Sequence, residues 1–337
     1  MSSSTTTTTY TRKDFSSDQE VRWCPGCGDY SILNGVQQVF ATLGVPREQF
    51  VVVSGIGCSS RFPYYMNTFG FHTIHGRSLA VATGVKIANP ALHVWVVTGD
   101  GDALSIGGNH LIHAMRRNLN LKVLLFNNRI YGLTKGQASP TTVPGKSTPS
   151  TPFGLLDTPF NPIAVALGAG ASFVARTVDT QLPHLKSVIE AAHHHRGFAF
   201  VEILQNCLIF NNGAFEHFTE RSVVKDRQVD LRPGEPLVFG QDQEKGLRIT
   251  ADSIEFCLPE EATVWREDGS TGASAYRMCL GSETGDLPVP VGIFRRVTRP
   301  VLEDQIHEQI REATVQLGEG TLENLLHGGD TWTVPGA

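Results

Sequence analysis

Two sets of residues could do chemistry. The first is Gly99-Asp100-Gly101-Asp102, followed by Asn127-Asn128. Twenty-five residues lie between Gly101 and Asn127, room for one helix and one strand. An aspartate and an asparagine brought together are hard oxygen ligands, suited to Mg²⁺ carrying a phosphate group. Gly99 and Gly101 let backbone approach that phosphate, and a helix beginning near Ala103 would aim its N-terminus at it. An aspartate here could also serve as a plain N-cap; the Asn127-Asn128 pair favours the ligand. The second set is four thiols, Cys24, Cys27, Cys58 and Cys207. Cys24-x2-Cys27 fits zinc, a redox dithiol or an iron–sulfur cluster. Four thiolates suit a [4Fe–4S] cluster, but spacing alone leaves zinc open. Cys257 and Cys279 belong to neither set and read as buried free thiols.

These groups need a frame to bring them together. Apolar residues at Ile32, Leu33, Val36, Val39, Phe40 and Leu43 have helical spacing. Short apolar runs at 51–53, 93–97, 121–126, 171–178 and 198–204 read as buried strands. Small residues over 77–88 and stripes over 104–115 and 182–192 read as helices between them. The alternation predicts an α/β fold, a parallel sheet with helices on both faces. In such sheets ligands sit at the carboxyl ends of the strands. The loops 55–61, 99–102, 127–137 and 205–207 all follow strands and should converge there. Residues 138–162 hold six prolines and many hydroxyls, an ordered loop. The chain divides into a disordered tail over 1–20, a cofactor domain over 21–215 and a C-terminal extension over 216–337, an interface or lid. A helix near 300–317 is expected in the extension. The His193-His194-His195 run reads as a solvated helix end, and Glu202 carries no distinguishing mark.

Composition narrows the class. Of 337 residues, 18% are charged, against about 25% in ordinary domains, so the chain is not a disordered solvating one. A net charge of −5 gives no basic field for nucleic acid, and no apolar run is long enough to span a membrane. Six sparse cysteines and an N-terminus without an apolar core point to a reducing, cytoplasmic compartment. Scarce charge is also what a surface covered by a partner chain would show.

WCPGCG at 23–28, GIGCSSR at 55–61, HTIHGR at 72–77, GDGDALSIGGNH at 99–110 and NNRIYGLTKGQ at 127–137 together resemble a known family. It is that of the beta subunits of 2-oxoacid:ferredoxin oxidoreductases, over roughly residues 20–215. The resemblance implies a thiamine diphosphate-binding fold, Mg²⁺ and a [4Fe–4S] cluster. Asp100 and Asn128 would hold Mg²⁺ by side chains and Ile130 by its carbonyl. Cys24, Cys27, Cys58 and Cys207 would hold the cluster. Gly57, Cys58, Ser59, His75, Gly99, Gly101 and Asp102 would wall the cofactor. Tyr131, Gly132, Leu133 and Thr134 would close over the diphosphate, with Lys135 neutralising phosphate or substrate charge. His75 would act in the active site, while Arg61 and Leu133 would set substrate choice. A guanidinium can grip a carboxylate, so Arg61 favours 2-oxoglutarate.

The implied reaction is oxidative decarboxylation of a 2-oxoacid, with coenzyme A taking the acyl group and electrons leaving through the cluster to ferredoxin. The alternative is a non-redox thiamine diphosphate decarboxylase or synthase, and a binding module with structural zinc also stays open. The resemblance further implies an alpha subunit that carries the pyrimidine-binding domain and a catalytic glutamate, in an α2β2 assembly. The segment VGIFRRVTRP, ending at Pro300, is a candidate contact for that subunit.

Overall fold

The computed structural model describes residues 9–269, 272–281, 285, 287–332, 334 and 336. The strands are β1 Phe50–Ser54, β2 Phe69–His72, β3 His93–Gly99, β4 Lys122–Asn127, β5 Phe173–Val178, β6 Ala199–Leu204, β7 Gln228–Leu231, β8 Val238–Phe239, β9 Lys245–Ile249, β10 Ile254–Cys257 and β11 Val289–Arg296. The helices are α1 Asp29–Thr42, α2 Phe62–Tyr65, α3 Ser78–Ala88, α4 Asp100–Leu104, α5 Gly108–Arg117, α6 Pro162–Gly168, α7 Leu182–His194, α8 Glu216–Thr219, α9 Val224–Arg227, α10 Ala273–Gly281, α11 Leu302–Leu317 and α12 Leu322–His327.

Eight strands form one sheet in the order β2-β1-β3-β4-β6-β5-β11-β7. From β2 through β5 every pair is parallel. Side chains alternate between the two faces. Val51, Val53, Val94, Val96, Val123 and Leu125 join one core, against α3, α5 and α6. Val52, Trp95, Val97, Leu124 and Phe126 join the other, against α1 and α7. Gly35 permits the close crossing of α1 and α7: a Cβ there would stand 3.1 Å from both Leu182 Cδ1 and Leu185 Cδ2. The expected parallel sheet covered on both faces is therefore what forms.

Three expectations need correction. The disordered tail does not hold from Tyr10 onward. Phe15 is fully buried, with its ring edge-on to Phe40 and Phe50, and Ser16 bridges Met66. Burying one such ring stabilises by about 1.5–3 kcal/mol, enough to fix a short polar segment. The rest of that expectation, residues 1–8, lies outside the described residues. Nor is 216–337 only an appendage. Strands β11 and β7 extend the main sheet, β11 antiparallel to β5 through a register shift between Ile293 and Arg295. Trp265, Phe239, Leu247 and Met278 join the first core, and β8, β9 and β10 form a separate antiparallel sheet. Much of VGIFRRVTRP is this inner strand, with Val291 and Phe294 buried, which leaves little of it for a partner. Finally, the histidine run is solvated only at His194. His195 is buried, and His193 stacks on His93 and Trp95.

Candidate active site

Strand β3 pairs with β4 so that Gly99 stands opposite Phe126. The residues that follow, Asp100 and Asn127-Asn128, therefore leave the sheet side by side at its carboxyl edge. Gly99 caps α4, whose first residue is Asp100, three residues earlier than expected. A cavity of about 590 Å³ opens there. Gly57, Cys58, Ser59, His75, Gly99, Asp100, Gly101, Asp102, Asn128, Ile130, Tyr131, Gly132, Leu133 and Thr134 all line it. Its size suits a cofactor. Among the lining residues there is no glutamate.

Asp100 is almost fully buried, and its Oδ2 accepts from Ser139 Oγ at 2.6 Å and Thr141 Oγ1 at 2.5 Å. Burial pushes its carboxyl up, against the hydroxyl donors that pull it down. Asn128 folds into a local turn, Oδ1 accepting from Ile130 N at 3.1 Å and Nδ2 donating to Gln205 at 2.9 Å. One carboxylate, one amide oxygen and a carbonyl nearby form a hard donor set, the kind Mg²⁺ takes alongside phosphate. Ser59 Oγ is buried with no protein partner beside this cavity, as a ligand donor would be. Gly101 is required: a Cβ would lie 2.1 Å from the Tyr131 ring, whose hydroxyl donates to Gly101 O at 3.0 Å.

Asp102 also lines the cofactor cavity. It accepts from Ile56 N, Gly76 N, His75 Nδ1 and Thr98 Oγ1 at 2.6–3.1 Å, so it ties three loops together as part of the wall. With Nδ1 held by a carboxylate, His75 presents Nε2 as its free ring nitrogen.

A second cavity of about 200 Å³ abuts the first, sharing Cys58, Asn128, Gly132 and Leu133. Cys24, Cys27, Cys58 and Cys207 all line it. Gly132 packs against two of the sulfurs; a Cβ there would stand 3.5 Å from Cys207 Sγ and 3.6 Å from Cys58 Sγ. Among the described residues no three His, Cys, Asp or Glu side chains close on a single ion position. The thiols instead surround a space several times the ~30 Å³ share of one water. Burial pushes Cys58 up to about 12 and raises Cys27 and Cys207, with the buried Asp29 carboxylate adding to all three. Asp29 itself is pushed up to about 7 by burial, against the Cys27 thiol that pulls it down.

The Thiamine pyrophosphate enzyme, C-terminal TPP binding domain, matches residues 55–203. The 2-oxoglutarate oxidoreductase subunit KorB of Mycobacterium tuberculosis is 52% identical over 329 residues, 96% of this chain and 88% of the relative. The chain belongs to the beta-subunit family of 2-oxoacid:ferredoxin oxidoreductases. Another relative, 2-oxoacid:ferredoxin oxidoreductase 1 subunit beta of Aeropyrum pernix, is 51% identical over 56% of this chain and 60% of its own. A solved 2-oxoglutarate:ferredoxin oxidoreductase from Magnetococcus marinus, with 2-oxoglutarate, coenzyme A and succinyl-CoA bound, superposes with a TM-score of 0.76 at 34% identity, covering 96% of each chain.

Within this beta-subunit fold two site residues fall elsewhere than expected. Lys135 lines the cysteine cavity and is absent from the Asp100 cavity, because the turn carries it over with a φ of 75°. Arg61 lines the cysteine cavity and a third hollow beside Ile56, Gly57 and His72, not the Asp100 cavity itself. Leu133 borders all three spaces. A wider cleft of about 1120 Å³ lies between α7 and β7–β8, far from these groups in the sheet. Its histidine, His184, is engaged by Thr177 and Asp230. Sequence reasoning missed Ser139 and Thr141 and set Glu202 aside. Ser139 and Thr141 had a faint signal, hydroxyls directly after the NNRIYGLTKGQ loop.

Proposed function

We propose that this chain is the cofactor-binding half of a 2-oxoglutarate:ferredoxin oxidoreductase, active only with its alpha subunit. The observation that carries the reading is the shared wall between the two cavities. Cys58, Gly132 and Leu133 border both, so a cofactor at Asp100 and a cluster among the thiols would be direct neighbours. Asp100, Asn128 and the Ile130 carbonyl would hold Mg²⁺. Tyr131, Gly132 and Thr134 would close on the diphosphate, and Ser59 Oγ would donate to the bound molecule. His75, fixed by Asp102, would exchange a proton at Nε2. Cys24, Cys27, Cys58 and Cys207 would hold a [4Fe–4S] cluster.

When bound, thiamine diphosphate supplies a nucleophilic carbon that stabilises the charge left by loss of CO₂. The cluster supplies one-electron transfer toward ferredoxin. Arg61, across Leu133 from the cofactor cavity, would take the distal carboxylate of 2-oxoglutarate. Coenzyme A would receive the acyl group. The alpha subunit would contribute the catalytic glutamate, in an α2β2 assembly. Six free cysteines suit a reducing cytoplasm.

Anaerobic purification of the complex, with iron, sulfide and thiamine quantified, tests this. About four irons and one thiamine diphosphate per chain are expected. Thiamine without iron would favour the non-redox decarboxylase or synthase, and zinc alone would overturn the reading.

A further inference from the structure

The hydroxyl-rich stretch Ser139-Pro140-Thr141-Thr142 opens the long proline-containing loop, yet it is almost wholly buried. Ser139, Thr141 and Thr142 are 5%, 3% and 1% exposed. Two of its hydroxyls meet on one atom, Asp100 Oδ2. Thr141 Oγ1 also stands 3.0 Å from Asn127 Oδ1. Having one proton, Thr141 gives it to the shorter, charge-assisted contact with Asp100. Asn127 Oδ1 keeps Arg129 N at 3.2 Å, and Asn127 Nδ2 donates to Glu202 Oε1 at 2.7 Å. Arg176 Nε donates to Glu202 Oε2 at 2.7 Å, and Glu202 is 1% exposed. A buried hydrogen-bonded chain therefore runs Arg176–Glu202–Asn127 across β5, β6 and β4 and ends against Thr141, whose hydroxyl holds Asp100 just past the tip of β3.

The same stretch grips the cofactor loop. Thr142 Oγ1 donates to Arg129 O at 2.7 Å and accepts from Ser139 N at 2.7 Å. Arg129 begins the turn that carries Ile130 to Thr134 over the cavity. It has a φ of 58°, a conformation that an arginine holds only when its surroundings impose it.

We propose that Ser139, Thr141 and Thr142 form a clamp, backed by Asn127, Glu202 and Arg176, that presets Asp100 and the Ile130 loop for magnesium. This rests on the reading above, in which Asp100 holds the ion. Two donors on Oδ2 fix the rotation of the carboxylate before the ion arrives. Thr142 fixes the loop carrying the Ile130 carbonyl to the same segment. These are positioning residues; none needs to touch the metal. Outer partners of this kind set metal affinity by about 10–100-fold. The competing role is purely structural, since a buried Arg–Glu pair stiffens a sheet whether or not an ion binds nearby.

The test is Mn²⁺ binding to the thiamine diphosphate-loaded complex, followed by the electron paramagnetic resonance of free Mn²⁺. Thr141→Val keeps the shape and loses the hydroxyl. Its Mn²⁺ Kd should rise about 10–100-fold, and Thr141→Ser should restore most of the affinity. If Thr141→Val does not fold, Ser139→Ala carries the same test, with a rise of about tenfold. An affinity within about twofold of the parent, with only the thermal midpoint lowered, would overturn the clamp. Asp100→Ala separates the two claims: undiminished Mn²⁺ binding there would sink the reading of Asp100 as ligand itself.

Discussion

The two edges of the main sheet both bury charge, and they use it in opposite ways. At the amino edge Lys86 donates to Pro90 O and Leu92 O at 2.7 and 2.8 Å. Lys122 donates to Asn120 Oδ1 and to the carbonyls of His195 and Gly197. Glu303 accepts from Asn120 N, and Ser172 bridges Asn118 and His195. Each of these groups ends on loop backbone or a neighbouring side chain of this chain. At the carboxyl edge, Ser59 Oγ is buried without a protein partner, and glycines stand where side chains would block the space. Neither burial nor an unmet polar atom alone marks a site: at the amino edge His193 Nδ1 and Trp95 Nε1 are buried without a partner as well, but neither residue lines any of the cavities above. The mark is a buried polar atom that the protein leaves unmet beside an open cavity.

The sharpest way to break this contrast is one substitution at each edge. Asp100→Ala should weaken magnesium-dependent thiamine diphosphate binding by more than about 100-fold, beyond the usual effect of an outer partner. Folding should weaken by only about 1 kcal/mol: Ser139 and Thr141 lose their shared acceptor, but Thr141 can turn its proton to Asn127 Oδ1. Isothermal titration calorimetry and thermal unfolding read the two quantities. Lys122→Ala should do the reverse. It strands two buried carbonyls, those of His195 and Gly197, while Asn120 Oδ1 keeps Gly197 N, and should lower unfolding free energy by about 3 kcal/mol in denaturant titration, leaving cofactor affinity unchanged. Equal effects of the two variants on cofactor binding would erase the distinction.

The amino edge should also show itself in acid. Burial holds His193 down to about 3 and His195 to about 4, with Lys122 adding to both and His93 to the first. Both rings are thus neutral when folded and take up a proton on unfolding once pH falls below about 6.5. Their contribution is intact above 6.5 and is lost as pH falls toward 4, by at most about 1.4 kcal/mol per pH unit for each ring. The unfolding midpoint measured from pH 7 to 4.5 should fall more steeply in the parent than in His193→Phe. A parallel pair of curves would show that His193 is not buried neutral.

How much of this was legible in the sequence follows the same divide. The Asp100 and Asn128 motif and the four thiols sit on loops directly after apolar strands, so local pattern alone placed them on one edge. The amino edge was misread because the stacking partners of His193, His93 and Trp95, come from β3, a hundred residues away. Strand β11 escaped notice because Pro290 and Gly292 interrupt an apolar run that reads as loop. Ser139 and Thr141 escaped because a hydroxyl in a loop has no period; only the fold shows that both point at one carboxylate. That Lys135 turns toward the cysteine cavity beside Arg61 is set by a single left-handed residue, and a lysine gives no warning of it.

The smallest predicted effect concerns Arg61, which tests whether the carboxyl edge leaves a cation for substrate as it leaves a buried hydroxyl for the cofactor. Its guanidinium reaches only Arg22 O, at 3.5 Å, so among the described residues no carboxylate neutralises it. It is half-exposed, and water competes with any ligand there. A charged hydrogen bond at such a position is worth about 1.5 kcal/mol, or about tenfold in affinity. Arg61→Ala should therefore raise KM for 2-oxoglutarate about tenfold with kcat nearly kept, and leave KM for pyruvate, which lacks the second carboxylate, unchanged. An equal rise for both substrates would assign Arg61 to the carboxylate they share or to the alpha subunit, and the basis for preferring 2-oxoglutarate at this site would fall with it.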